Sequence, residues 1–324
     1  MEIQRCTDKS AWDDFILDND GHPLQLWGWG QVKAAHGWQA ERFFVYEGDV
    51  LVVAVQVLVR PLPFPFRSLA YVPRGPVGNE AYFQQALDEI ALIVKRDHKS
   101  VALSVEINSR ETILNGAWQK SPNKILSRET ILLDLRRSES DLLADMSKKT
   151  RQYIRKSAAD GVTIRQIKSQ EELDACLQIY ADTAKRAGFN LHDKQYYRDV
   201  YRLMGDHSPV FVALVDNSPV AFLWLAVSAS TAYELYGGMN EVGQKIRANY
   251  ALKWQVIRKA KEWGLDEYDF GGLVAGGVSN FKQGWASQPT EFAGTFDRPL
   301  SPLYGLWTSV VPSAKAFMQK LRKK

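Results

Sequence analysis

Two apolar runs, ERFFVYE and VLVVAVQVLV, flank a Glu-Gly-Asp step near residue 48 and predict a β-hairpin. In EAYFQQALDEIALIVKRDHK the apolar positions Phe83, Ala86, Leu87, Ile90, Ile93 and Val94 fall at helical spacing. SVALSVEIN and ETILLDL then read as strands. Ahead of the hairpin, SAWDDFILDN predicts a helix with Ser10 as N-cap, and PLQLWGWGQVKAAHGW a short strand followed by a helix. The second half repeats this order. SQEELDACLQIYADTAKRAG opens with a capping box, Ser169 and Glu172, and KQYYRDVYRLMG predicts a second helix. SPVFVALVDNSPVAFLWLAVSASTAYELYGG predicts a strand meander turning at Asp-Asn-Ser-Pro. ANYALKWQVIRKAKEWGL predicts an amphipathic helix closed by Gly264, and DEYDFGG a last strand. Each half thus reads as helices, hairpin, helix, strand, which predicts two copies of one α/β unit joined by a helix over ESDLLADMSKKTRQYIRKSAADG. In the tail, Ala314, Phe317, Met318 and Leu321 share one helical side and are expected to pack back on the first unit, with a lipid-interface helix as the alternative.

The chain of 324 residues is 45% hydrophobic and 24% charged, as soluble globular proteins are. Its net charge of +4 is too small to imply a nucleic-acid partner by itself. The distribution changes that picture: Lys148, Lys149, Arg151, Arg155 and Lys156 are gathered within one predicted helix. Cys6 and Cys176 stand far apart and fit a reducing compartment. The N-terminus lacks a signal-type apolar stretch, and no apolar run is long enough to span a bilayer, so a cytoplasmic protein is expected.

Several chemistries have no support. The five His lack metal-ligand spacing, and no phosphate loop, dinucleotide fingerprint or nucleophile elbow is present. Three stretches remain. LAYVPRGPV holds Arg74 on a stiff turn. MSKKTRQYIRKSAADGV is the basic helix, with Tyr153 among its cations. GGVSNFKQGW carries Lys282 in a Gly-rich loop behind a strand. On residue type alone Lys282 is a solvated charge, a phosphate ligand or part of a reaction centre that stabilises developing negative charge.

Taken together, LQLWGWGQVKAAHGW, RSLAYVPRGPV, LLADMSKKTRQYIRKSAADGV, ELYGGMN, NYALKWQVIRKAKEWGLDEYDFGG and NFKQGWASQPTEFAGTFDRPLSPLYGLW resemble the Fem family of non-ribosomal aminoacyltransferases. They run in the family order over most of the chain. The resemblance implies an α/β fold of two tandem acetyltransferase-like (GNAT-like) domains, residues 1–140 with 297–324 and residues 141–296, without the coiled-coil arm of larger members. It implies transfer of an amino acid from aminoacyl-tRNA to the stem-peptide amine of a peptidoglycan precursor, nucleotide-linked or lipid-linked, by a monomer. ATP, CoA and metal are not needed, because the ester is already activated. Phe281 and Lys282 match the family's Phe-Lys pair at the tRNA-end site, Phe281 to stack on the terminal adenosine, Lys282 to hold the oxyanion or the terminal ribose-phosphate. Lys33, Tyr196 and Tyr236 match precursor contacts, with Arg74 a further phosphate contact. The family's Arg, four residues before its Tyr, falls on His192, with Lys194 and Arg198 as nearby substitutes. The basic helix is expected to face the tRNA acceptor arm or a lipid-linked phosphate, at the inner face of the membrane. A CoA-dependent N-acetyltransferase and a non-catalytic RNA-binding module are the competing classes. The first needs a Gly-patterned run of amides before a helix, which NEVGQKIRANYALKW lacks.

Overall fold

In the computed structural model, which describes residues 1–111, 114–123, 125–273, 281–286 and 288–309, the chain forms two units: Met1–Arg128 with the segment from Phe292, and Glu129–Glu291. The first runs through β1 (Glu2–Arg5), α1 (Lys9–Asp18), α2 (Trp27–Ala35), β2 (Gln39–Glu47), β3 (Val50–Pro61), β4 (Ser68–Pro73), β5 (Val77–Gly78), α3 (Phe83–His98), β6 (Ser100–Glu106) and β7 (Gln119–Lys120). The second holds β8 (Glu129–Thr130), β9 (Leu132–Asp134), α4 (Glu139–Asp145), α5 (Lys148–Ala159), β10 (Thr163–Gln166), α6 (Gln170–Ala187), α7 (Lys194–Met204), β11 (Val210–Val215), β12 (Ser218–Val227), β13 (Thr231–Met239), α8 (Glu241–Ile246), α9 (Ala248–Glu262), β14 (Glu267–Asp269) and β15 (Thr290–Glu291). The strand β16 (Thr295–Pro299) returns to the first.

The two sheets share one plan. In the first the order is β1-β2-β3-β4-β6-β16-β7, antiparallel except for the β4–β6 pair that α3 connects. In the second it is β10-β11-β12-β13-β14-β9, antiparallel except for the β13–β14 pair that α9 connects. Each parallel crossover places its helix on one face, where Ile90 and Val94 of α3, or Val256 and Ile257 of α9, are fully buried. The strand beyond each crossover comes from a distant part of the chain: β16 pairs β6, and β9 pairs β14. The crossings between units therefore fall at Arg128/Glu129 and Glu291/Phe292. The expected crossings, 140/141 and 296/297, lie later, because the strand read in ETILLDL pairs with β14 rather than with the first sheet.

Buried carboxylates secure the exchanged strands. Asp297 of β16 accepts hydroxyls from Ser104 at 2.6 Å, Ser121 at 2.5 Å and Tyr304 at 2.8 Å. Glu106, at the end of β6, accepts the hydroxyls of Thr295, at 2.8 Å, and Tyr71. Asp269, at the matching end of β14, accepts the hydroxyl of Thr130.

Local differences from the sequence reading have local causes. The cap of α1 is Asp8, not Ser10, because one Asp8 oxygen accepts from the amides of both Ser10 and Ala11. PLQ forms a 3-10 turn instead of a strand, and α2 starts at Trp27, whose amide is held by Asp13. The joining helix is two helices: Met146 and Ser147 are extended, and the Ser147 hydroxyl caps α5 at the Thr150 amide. The Asp216–Asn217 turn has positive φ at both residues, as a tight hairpin requires. The tail positions Ala314, Phe317, Met318 and Leu321 lie outside the described residues.

Candidate active site

Within the second unit a bulge between β12 and β13 changes the facing of β13 residues. Register slips between Trp224 and Leu225, so Tyr236 lies opposite Trp224 and Glu234 opposite Leu225. Two residues that normally share a face are thereby sent to opposite faces.

Glu234 looks toward α9. Its carboxylate pairs with the buried Lys253 ammonium and accepts the Tyr268 hydroxyl at 2.7 Å. Burial brings the Lys253 pKa down to about 8, against the upward pull of Glu234. The Lys253 ammonium lies 4.5 Å from the Phe270 ring centre and 5.3 Å from that of Phe281. Phe281 packs edge-on against Tyr250 at 4.9 Å and Trp285 at 5.9 Å, and Trp285 is fully buried. Phe281, Lys282 and Gln283 are helical, which turns the Lys282 side chain back toward the end of β14. There its ammonium donates to the carbonyls of Gly271 at 3.0 Å and Gly272 at 3.1 Å. Burial lowers its pKa, while Glu234 and Asp269 raise it. Gly271 has φ +68, and a Cβ there would meet the Glu234 carbonyl at 2.9 Å. Only glycine presents its carbonyl to Lys282 in this way. The remainder of the Gly-rich loop, residues 274–280, lies outside the described residues.

Tyr236 looks to the other face, into rings from α6 and α7. It meets Tyr197 at 5.0 Å, Trp224 at 5.3 Å and Tyr180 at 5.8 Å. Burial pushes its phenol pKa well above the ordinary tyrosine value and that of Tyr196 to about 12, so both remain neutral donors at neutral pH. His192 stacks on Tyr196 with ring centres 4.0 Å apart. The three precursor-contact candidates of this unit thus gather in one cluster, beside a cavity of about 200 Å³ lined by Tyr180, Leu191, His192, Lys194 and Tyr197. Both substitutes for the displaced arginine are engaged: Lys194 at 3.1 Å and Arg198 at 2.5 Å from Asp174.

The basic helix α5 is not uniform. Lys148, Lys149, Arg155 and Lys156 are exposed. The Arg151 guanidinium instead turns back on the carbonyls of Leu143, Ala144 and Met146 and closes the end of α4. Arg247 joins this face through the Tyr153 ring, at 4.4 Å. The residues just ahead of α9 form α8, capped by Asn240, where an acyl-CoA enzyme needs an open run of amides.

In the first unit Lys33 lies in the last turn of α2, 4.4 Å over the Trp29 ring. Burial and the nearby Arg60 bring its pKa to about 8. Arg74 follows β4 in left-handed conformation, φ +50, and is 4% exposed. Its guanidinium stacks 3.9 Å over Phe292, and its Nε has no hydrogen-bond partner among the described residues.

Sequence reasoning missed Glu234, Lys253, Tyr268 and Asp269. The only signal was a lysine on the apolar face of α9, which helical spacing alone reveals. Among the described residues no helix is long and apolar enough to cross a membrane, and no group of His, Cys, Asp or Glu is assembled for a metal ion.

Comparison with known proteins agrees with this architecture. The lipid II:glycine glycyltransferase of Staphylococcus saprophyticus is 22% identical, over all of this chain and 99% of its own length. That of Staphylococcus aureus strain MRSA252 is also 22% identical, with the same coverage. The alignment with the first spans 416 positions against a chain of 324, so that relative carries segments absent here. A crystal structure of FemX superposes with a TM-score of 0.85 at 18% identity, covering 95% of this chain and all of that one. A tandem GNAT protein of the clavulanic acid pathway superposes at 0.55 and 12% identity over 93% of this chain and 99% of that one, which shows the doubled acetyltransferase-like fold. The FemAB family matches residues 8–111, 113–219 and 216–310, and the chain belongs to that family.

Proposed function

We propose that this protein is an aminoacyltransferase that moves an amino acid from an aminoacyl-tRNA to the stem-peptide amine of a peptidoglycan precursor, forming the interpeptide bridge. The observation that carries the reading is the seating of Lys282. An ammonium has three N–H donors, and the Gly271 and Gly272 carbonyls orient two of them. The direction of the third is thereby set before substrate arrives, as a preorganised oxyanion donor must be. The family membership and the staphylococcal relatives, named for lipid II and glycine, support the substrate class.

The chemistry asked of the protein is small. The acceptor amine attacks the ester carbonyl, and a C–N bond forms as the carbonyl oxygen becomes an oxyanion beside Lys282. Collapse breaks the ester C–O bond. The proton lost by the amine ends on the ribose hydroxyl that leaves. Positioning supplies the rest. Phe281, a half-buried residue packed on Tyr250, offers a stacking surface for the terminal adenosine. Lys33 and Arg74 serve the precursor's phosphates, and His192, Tyr196 and Tyr236 its remaining polar groups. Lys148, Lys149, Arg155 and Lys156 serve the acceptor arm.

The test is incubation with precursor and a pool of charged tRNAs, followed by mass analysis of the product. Lys282→Ala is expected to lower kcat by about 10²- to 10³-fold, the usual loss for a missing oxyanion donor, with tRNA affinity nearly unchanged. Undiminished transfer by that variant removes the proposal. So does the absence of transfer from any charged tRNA, which leaves RNA binding as the better account.

A further inference from the structure

Phe64 is 85% exposed at the tip of the β3–β4 hairpin. An isolated exposed aromatic needs no explanation, but this one has neighbours. Pro61 pairs with Ser68, Ser68 pairs with Ser100, and the Leu300 amide donates to the Val101 carbonyl at 3.0 Å. The hairpin tip, the start of β6 and the segment after β16 therefore share one end of the first sheet. That segment is helical over 304–309 and brings Leu306, 50% exposed, to the same end. Trp307 meets Phe66 with ring centres 5.2 Å apart, and Leu62 and Leu303 belong to the same apolar cluster.

Cations rim this end. Arg60, next to last in β3, lies 5.3 Å over the Trp38 ring, and the Trp38 amide donates to the Lys33 carbonyl at 3.1 Å. Arg67 and Lys99 are exposed and directly precede the paired Ser68 and Ser100. No acidic residue occurs in 59–70 or in 298–309. Asp97, two residues before Lys99, is already held by Arg5 and Arg96. Exposed aromatic and aliphatic side chains beside three cations that have no ion pair among the described residues fit an interface where acyl chains lie beneath anionic headgroups.

We propose that the Phe64 hairpin tip, with Leu306 and Trp307, docks this protein on an anionic bilayer. Phe64 and Leu306 enter the acyl boundary, and Arg60, Arg67 and Lys99 meet the lipid phosphates. The contact of Arg60 with Trp38, whose amide is bonded to the Lys33 carbonyl, carries the surface toward a proposed precursor-contact residue. Resting on the function proposed above, this favours an acceptor whose phosphates lie at the membrane, the lipid-linked precursor, over a freely diffusing nucleotide-linked one.

Vesicle flotation tests the surface without any need for transfer activity. The full chain is expected to float with vesicles of phosphatidylglycerol and phosphatidylcholine and to stay behind with phosphatidylcholine alone. Phe64→Ser and Leu306→Ser are each expected to lower the bound fraction about tenfold, and Phe64→Ser to do so without lowering the melting temperature, since its side chain is already in solvent. Arg60→Gln with Arg67→Gln is expected to flatten the dependence on salt. Wild-type binding by Phe64→Ser, or no binding to anionic vesicles, overturns the proposal. A dimer in sedimentation that Phe64→Ser dissolves assigns the surface to a second copy instead. In a transfer assay Phe64→Ser is expected to lose activity on vesicle-borne precursor and keep it on soluble precursor. If vesicle binding behaves as stated but no transfer occurs, the functional reading fails and the docking surface stands.

Discussion

At the scale of single residues, the centre of the second unit is a set of charges that must be balanced in a dry place. Lys253 is 5% exposed and paired with Glu234, which also holds Tyr268. Its pKa of about 8 lies below the ordinary lysine value near 10.5, so the folded protein releases this proton before the unfolded chain does. Where the unfolded state binds more protons, stability rises with pH. The buried tyrosines Tyr236 and Tyr268 act in the opposite sense above about pH 10, because their folded pKa values are raised. Unfolding free energy is therefore expected to rise between about pH 8 and 10, by roughly 2–3 kcal/mol from Lys253. Lys33, whose pKa is also brought to about 8, adds a rise of the same sign, so urea melts across that window should show Lys253→Met removing the Lys253 share and leaving that of Lys33. Glu234 has a further role through charge. It raises the Lys282 pKa, so Glu234→Gln should move the alkaline limb of kcat to lower pH. An unmoved limb means that Lys282 does not titrate in the reaction. Lys282 itself was legible as a loop lysine between Phe281 and a Gln-Gly-Trp run. Its neighbours were not. Glu234 and Lys253 are 19 residues apart and meet only because a bulge turns one strand residue over. Alternation along ELYGG assigns Glu234 and Tyr236 to one face.

At the scale of elements, most helices and strands were legible because apolar periodicity is a local signal. The Ser169 cap, the Gly264 helix end and the hairpin turns follow from residues within a few positions of each other. What periodicity lacks is the identity of a strand's partner. ETILLDL has a strand's pattern in either sheet, and only long-range pairing with β14 assigns it to the second. The same holds for β16, whose buried Asp297 looks out of place in a strand until the three hydroxyls around it are known. Asp297→Asn replaces an acceptor oxygen by a donor nitrogen, so at least one of those hydroxyls is left without an acceptor. The expected destabilisation is about 1–3 kcal/mol for the first unit. Faster hydrogen exchange at the paired amides of β6 and β16 should accompany it. Unchanged stability would mean that the strand is held by its apolar residues alone.

At the scale of the whole molecule, the doubled plan divides the polar equipment of the chain between two units, a division that the function proposed above uses for two large substrates. The units share their topology, but their polar equipment differs. The first offers Lys33 and Arg74, partly or fully buried and lying over aromatic rings. The second offers Lys282, the tyrosine cluster and the face of α5. That division was legible from sequence order, since the basic run and the Phe-Lys pair both lie in the second half. The unequal roles along α5 were not, because spacing groups Arg151 with Lys148 and Arg155 while its guanidinium closes α4. The distinction is measurable. Replacing Lys149 and Lys156 by Ala should weaken tRNA binding and reduce the slope of log affinity against log salt by about 0.7–0.9 for each phosphate that is no longer neutralised. Arg151→Ala should leave that slope alone and lower the melting temperature, since its hydrogen bonds are internal to the fold. If Arg151→Ala reduces the slope as the lysines do, its side chain leaves the α4 carbonyls when RNA binds, and the whole face of α5 acts as one surface.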